Sequence, residues 1–351
     1  MDDQVRSTER YGMSLSIAPV NRWRGIRRGS GFIALALLLA ACSSTLSPRA
    51  VPAASSGPTS APAPVAAAAA VPASAVPASA APGSAADGTL PVQMIADVPF
   101  VRPSGCVGTD CSVLLNIYVP VGTGPFQTVV LIRGGPTGPG GRGYLDPFAR
   151  ELAASGLVVF NADMRDKAAL GGGYPQAFED VACAVRVARA WSPTFGGDGK
   201  TVTLVGHSLG GFVGSVVALD PTEFTGDCLA GGLGRPDAFV GLSGNYDLSD
   251  PKVANDLKVF FGGSPDTTDQ ERADSDPFVS ATGSSIPVYL VAGTNDQVVN
   301  PAAAVALDSY LSTQRWDVNL TSSRARRTTR SSFLRAPAPQ AWRSSWKPRG
   351  R

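Results

Sequence analysis

The sequence predicts an α/β protein with a mostly parallel central sheet and helices on both faces. From about residue 90, short apolar runs alternate with segments of helical spacing, the pattern of successive βα units. Runs such as Thr128–Ile132 are apolar throughout, as in strands buried on both faces. No repeat of 20 to 50 residues intervenes, and about 230 residues suit one domain of this kind.

Each element has its own warrant. Ser112–Val119 alternates in part and is rich in β-formers, so it reads as a strand. Thr128–Ile132 and Leu157–Phe160 read as buried strands. Tyr144–Ala154 between them has helical spacing and stops near Gly156. Phe178–Trp191 places Val181, Val185 and Ala188 on one helical face. Thr201–Val205 is a strand and Leu209–Leu219 a helix. Ala238–Leu242 and Pro287–Val291 are further strands. Ala302–Leu311 is a helix and Trp316–Leu320 a last strand.

Charge divides the chain. The 351 residues carry a formal net charge of +2, but residues 43–320 hold 15 basic and 25 acidic side chains. An acidic body argues against a nucleic-acid partner. Residues 321–351 hold nine basic side chains and no acidic one. The expected divisions are a signal segment over 1–42, a linker over 43–88, the folded domain over 89–320 and a basic tail over 321–351.

Arg22, Arg24, Arg27 and Arg28 precede an apolar run from Gly31 to Ala41. As a helix that run spans roughly 16 Å, about half a bilayer core, which suits a signal peptide better than a membrane span. Leu39-Ala40-Ala41-Cys42 resembles a bacterial lipoprotein lipobox, and the resemblance implies lipidation at Cys42 and an extracytoplasmic, membrane-anchored protein. Residues 43–88 are mostly Ala, Pro, Ser, Gly and Val, a composition that cannot offset chain entropy with a core and reads as a disordered tether. Four cysteines then remain, Cys106, Cys111, Cys183 and Cys228, in an oxidising compartment. Three pairings are possible; the local choice is Cys106–Cys111 with Cys183–Cys228.

The strand Thr201–Val205 runs into Gly206-His207-Ser208-Leu209-Gly210-Gly211 and then a helix. This is G-x-S-x-G in its meaningful context, a strand, a tight turn and a helix. The turn projects Ser208 and sets helix N-terminal N–H groups beside its hydroxyl. On these residues the stretch 112–320 resembles the α/β-hydrolase fold, closest to secreted bacterial carboxylesterases and dienelactone-hydrolase-like members. The resemblance implies an acyl-enzyme at Ser208, an ester substrate and no metal or organic cofactor. Ile132-Arg133-Gly134-Gly135-Pro136 stands where the family has its His-Gly-Gly oxyanion loop, with Arg133 in the place of His. The implied oxyanion donors are the N–H groups of Gly135 and Leu209; Pro136 has none to give. The implied acid is Asp296, after the seventh strand, with Asp247 as second choice. Asp163 and Arg165 are expected to form a structural ion pair.

The family also needs a His after the eighth strand to accept the serine proton. The sequence has one His, His207, inside the elbow and expected to point away from Ser208. Where the base should stand, the chain turns into the Arg-rich tail. One account is a basic tail that binds anionic lipid or wall polymer. The favoured account is a frameshift. With GC-rich synonymous codons, shifting the frame at Arg324 turns Arg324–Ser331 into Gly-Ala-Ala-His-Asp-Ser-Phe, the type of Gly-x-x-His loop the family has there. Three functions follow: a tethered serine esterase impaired by the missing base, a non-catalytic surface lipoprotein using the fold to bind, and a proline-iminopeptidase-like peptidase suggested by Arg133-Gly134-Gly135-Pro136. For the last, the segment between Asp247 and Ser285 is short for a helical cap.

Overall fold

A computed structural model describes residues 89–107, 111–220, 223–262 and 269–323. Cys42, the linker and the tail beyond Ser323 lie outside the described residues. Among the described residues eight strands are found: β1 (Val92–Val101), β2 (Val113–Pro120), β3 (Phe126–Ile132), β4 (Leu157–Ala162), β5 (Gly197–His207), β6 (Ala238–Leu242), β7 (Val288–Gly293) and β8 (Val318–Ser323). The helices between them are α1 (Asp146–Ala154), α2 (Gln176–Trp191), α3 (Leu209–Leu219), α4 (Ala254–Phe261), α5 (Asp269–Asp274), α6 (Pro277–Ser280) and α7 (Pro301–Thr313). The strands form one sheet in the order β1-β2-β4-β3-β5-β6-β7-β8. β1 and β2 pair antiparallel, as do β2 and β4, and every pair from β4–β3 to β7–β8 is parallel.

The expected strands and long helices are present, with ends moved by a few residues. Strand β1 adds to the expectation. Its alternation is broken by an irregularity between Ile95 and Val98, where Asp97 takes a positive φ of 56°; a bulge of this kind destroys the period of two. The stretch expected as one helix from Tyr144 is a 3₁₀ turn over Gly141–Leu145 followed by α1.

The core explains the apolar strands. In β3, Val130 and Ile132 join one cluster with α2, α3 and α7. Their neighbours Val129 and Leu131 join the other, under Leu152 and Ala153 of α1. Alternate residues of one strand thus fill both faces. Every residue of α3 is buried, and a side chain such as Phe212 contributes about 1.5–3 kcal/mol by leaving water.

The structure joins Cys106 to Cys111 and Cys183 to Cys228. The first closes a five-residue separation and the second one of 45. By loop entropy they are worth roughly 2 and 4 kcal/mol. The longer one ties α2 to the segment before β6.

Candidate active site

Strand β5 ends at His207 and α3 begins at Leu209, so Ser208 takes the whole change of direction. It has φ 54° and ψ −117°, a conformation that costs a non-glycine residue of the order of 1–3 kcal/mol and is maintained only when the surroundings enforce it. They do. Ser208 N–H donates to Leu242 O at 2.9 Å, and Ser208 O accepts from Phe212 N–H at 3.1 Å. A Cβ on Gly206 would lie 2.2 Å from Gly210 O, and one on Gly210 2.3 Å from Arg133 O, so both flanking glycines are required by close approach. Ser208 occupies the N-cap position of α3, yet its hydroxyl makes no capping bond. It is half-buried and left available for chemistry, where a serine N-cap ordinarily binds the helix.

The loop after β3 lies against this elbow. A Cβ on Gly134 would sit 2.6 Å from Ser208 Cβ and 3.0 Å from His207 Nδ1. Gly135 has φ 71°, which glycine alone adopts freely. Leu209, as the first residue of α3, has no intrahelical acceptor for its N–H. Leu209 thus adjoins Ser208 at the positive end of a helix dipole, and Gly135 is the chain neighbour of Gly134, which packs against Ser208.

Asp296 follows β7. Its Oδ1 accepts from the N–H groups of Val298 at 2.8 Å and Val299 at 3.0 Å, and its Oδ2 makes no hydrogen bond among the described residues. It lines a crevice with Ser243, Gly244, Val299 and Asn300. Gly244 in turn touches the elbow, 2.8 Å from where a Cβ on Gly211 would be. Asp247, the second choice for the acid, accepts from Ser249 N–H and Oγ–H at 2.9 and 2.6 Å and closes its own turn.

His207 stacks on Tyr144 with centroids 6.2 Å apart. Burial pulls its imidazole below the usual value, and the Asp296 carboxylate pulls the other way. Its buried Nδ1 has no hydrogen-bond partner among the described residues, nor have Ser243 Oγ and both polar atoms of the Asn245 amide.

One expected pairing is corrected. Asp163 and Arg165 do not bond each other. Asp163 pairs with Arg133 and Arg142, while Arg165 pairs with Asp180 at 2.7 Å and Glu179 at 3.8 Å. The partners come from other elements, which sequence proximity does not reveal. Arg133, expected only as a departure from His, is fully buried and ion-paired to Asp166 at 2.8 Å. Among the described residues no group of three or more His, Cys, Asp or Glu could hold a metal, and no helix is long and apolar enough to cross a membrane.

This strand order, with a strained serine between β5 and α3 beside a glycine loop, defines the α/β-hydrolase fold. The chain belongs to the BD-FAE family, whose model matches residues 115–311, more than half of its length. Esterase LipC of Mycobacterium tuberculosis (strain ATCC 25618 / H37Rv) is 28% identical over 207 residues, covering 55% of this chain and 50% of LipC. The chain thus spans about half the length of that curated relative. Among solved structures, Thermogutta terrifontis esterase 2 with bound propionate superposes with a TM-score of 0.51 at 18% identity, over 65% of this chain and 82% of its own. Esterase B of Lactobacillus rhamnosis, in a structure with a C4-C4 tributyrin phosphonate, gives 0.53 at 19%, over 66% and 74%. These likenesses show the fold.

Proposed function

We propose that the protein is a serine hydrolase acting on carboxylic esters. The observation that carries this reading is the strained, uncapped Ser208 held against Gly134. Ser208 Oγ attacks the ester carbonyl carbon, and the N–H groups of Gly135 and Leu209 hold the oxyanion. The alcohol leaves, and water releases the acid from the acyl-serine. Asp296 orients the base that takes the serine proton. The esterase names of the relative and of both structural neighbours support the ester class.

That base is the missing part. The one His of the sequence is His207, in the elbow itself, and its depressed basicity suits it poorly to the task. We infer that residues from Arg324 onward are read out of frame and that the shifted Gly-Ala-Ala-His segment supplies the base. The unpartnered polar atoms of Ser243 and Asn245 beside the elbow support a polar neighbour at this place, because native structures leave few such groups. The chain as given should then be slower by orders of magnitude, keeping what the oxyanion hole alone provides. The basic tail over 321–351 as a surface-binding element is the competing reading, and it predicts binding to anionic vesicles that deletion of the tail abolishes.

The test compares the given chain with one carrying the shifted frame after Arg324, using a fluorophosphonate probe and p-nitrophenyl butyrate. The shifted chain is expected to label at Ser208 and to hydrolyse the ester, with Ser208→Ala silent in both assays. A folded shifted chain that does neither leaves the non-catalytic binding module as the reading. An aminoacyl-arylamide cleaved faster than the ester would make it a peptidase instead; the short helices α4, α5 and α6 argue against the large cap such enzymes carry.

Lipidation of Cys42 and an extracytoplasmic place remain part of this proposal. The two disulfides support it, since such bonds persist in oxidising compartments. Metabolic labelling with a palmitate analogue, lost in Cys42→Ala, checks it.

A further inference from the structure

Arg133 is fully buried, and its guanidinium gathers the loop that follows it. Nη1 donates to Gly135 O at 2.6 Å, to Gly134 O at 3.4 Å and to Asp166 at 2.8 Å. Nη2 donates to Gly138 O at 2.9 Å, and Nε donates to Asp163 at 3.4 Å. The two carboxylates that hold Arg133 also bind the same loop directly. Asp166 accepts from Gly138 N–H at 3.1 Å. Asp163 accepts from Gly140 N–H at 2.9 Å and from Arg142 N–H at 2.8 Å. Arg142 also pairs with Asp97 on β1. Gly141 is pressed so close that a Cβ there would lie 2.2 Å from Arg133 Nε.

We propose that Arg133, held by Asp163 and Asp166, is the positioning residue that aims the Gly135 N–H at the oxyanion. The proposal rests on the serine-hydrolase reading above. The geometry is that of one peptide plane. In a trans peptide the C=O and the following N–H point in opposite directions. Arg133 draws Gly134 O to its own side, so the Gly135 N–H points to the opposite one. Gly134 abuts Ser208, and the Gly135 N–H donates to no group among the described residues. Only a guanidinium offers a rigid fork of five N–H donors for this many acceptors. A Lys ammonium has the charge but three donors and no fixed plane. Arg133 touches no reacting atom; it acts through Gly135.

The test uses Arg133→Lys and Asp166→Asn in the full chain, each first shown by circular dichroism to be folded. Amide hydrogen exchange of residues 134–141 is expected to quicken at least tenfold in both, while β5 and α3 exchange as in the parent. Phosphonylation of Ser208 by a p-nitrophenyl phosphonate, in the given chain and the shifted-frame chain, is expected to lose at least tenfold in its maximal rate with half-saturation unchanged. Unaltered exchange overturns the proposal. Faster exchange with unaltered phosphonylation also overturns it, since the loop would then be held without serving the oxyanion. If Ser208 reacts in neither parent, the hydrolase reading falls and the catalytic role with it. Exchange then decides alone whether Arg133 holds the loop.

Discussion

Gly134 and Ser208 are in van der Waals contact across the site, so closely that a Cβ on Gly134 would lie 2.6 Å from Ser208 Cβ. No relaxation of a flexible side chain relieves this, because the obstructing atom is next to the backbone of a strained turn. Gly134→Ala must therefore push the loop after β3 away from Ser208, the proposed nucleophile. Loss of one oxyanion donor costs about 10²–10³ in rate. Phosphonylation of Ser208 in the shifted-frame chain should fall by about that factor in Gly134→Ala, with a thermal midpoint lowered by only a few degrees. A variant that reacts at the parental rate would place the oxyanion donor elsewhere.

If the base is all the site lacks, imidazole should supply it from solution. Asp296 lines a crevice with Ser243, Gly244 and Asn300, Gly244 packs against the elbow, and Asp296 Oδ2 makes no hydrogen bond among the described residues. Hydrolysis of p-nitrophenyl butyrate by the given chain should rise with imidazole and reach a plateau, beyond the linear buffer catalysis. The plateau should vanish in Ser208→Ala and fall roughly tenfold or more in Asp296→Asn, because general-base catalysis of this kind is worth about 10²–10⁴. A purely linear response, equal in Ser208→Ala, would count against the site's being complete apart from its base.

Legibility follows physics. Helix α3 and strand β6 fall where the pattern placed them because their apolar runs are continuous and are bounded by glycine, proline and polar turn residues. β1 was illegible because the bulge at Asp97 breaks its period. The elbow was legible because local sterics write it as Gly-x-Ser-x-Gly. The role of Arg133 was not, since its partners Asp163 and Asp166 lie 30 and 33 residues away and only the β3–β4 pairing brings them together. Such tertiary partners also explain why Asp163 and Arg165, two residues apart, serve separate networks.

His207 makes stability depend on pH in a definite direction. Its folded imidazole is held below the usual 6.5, so between that value and the lower folded one the unfolded chain binds the proton and the folded chain resists it. The stabilisation is whole above about pH 6.5 and is lost as pH falls toward the folded value. His207→Gln lacks this component. The thermal midpoint of the parent, taken relative to that of His207→Gln, should therefore fall from pH 7.5 to pH 5.5. A parent that holds or gains relative to the variant contradicts the assignment.

Arg165 and Asp180 give the sharpest stability test outside the site. Asp180 is fully buried, and Arg165 reaches it with Nη2 at 2.7 Å, Nε at 2.9 Å and its backbone N–H at 2.8 Å. Burial raises the Asp180 carboxyl above its usual range, opposed by the guanidinium beside it. Removing the Arg alone strands a buried charge, at a cost of about 3–5 kcal/mol. Arg165→Met should lose this much in urea unfolding. Replacing both partners by apolar groups is often neutral, so Arg165→Met with Asp180→Leu should recover most of the loss. The residual deficit belongs to the Arg165 N–H, which would still lack its acceptor. Equal destabilisation by the single and double variants would mean that packing of the Arg stem, and not the stranded carboxylate, sets the cost.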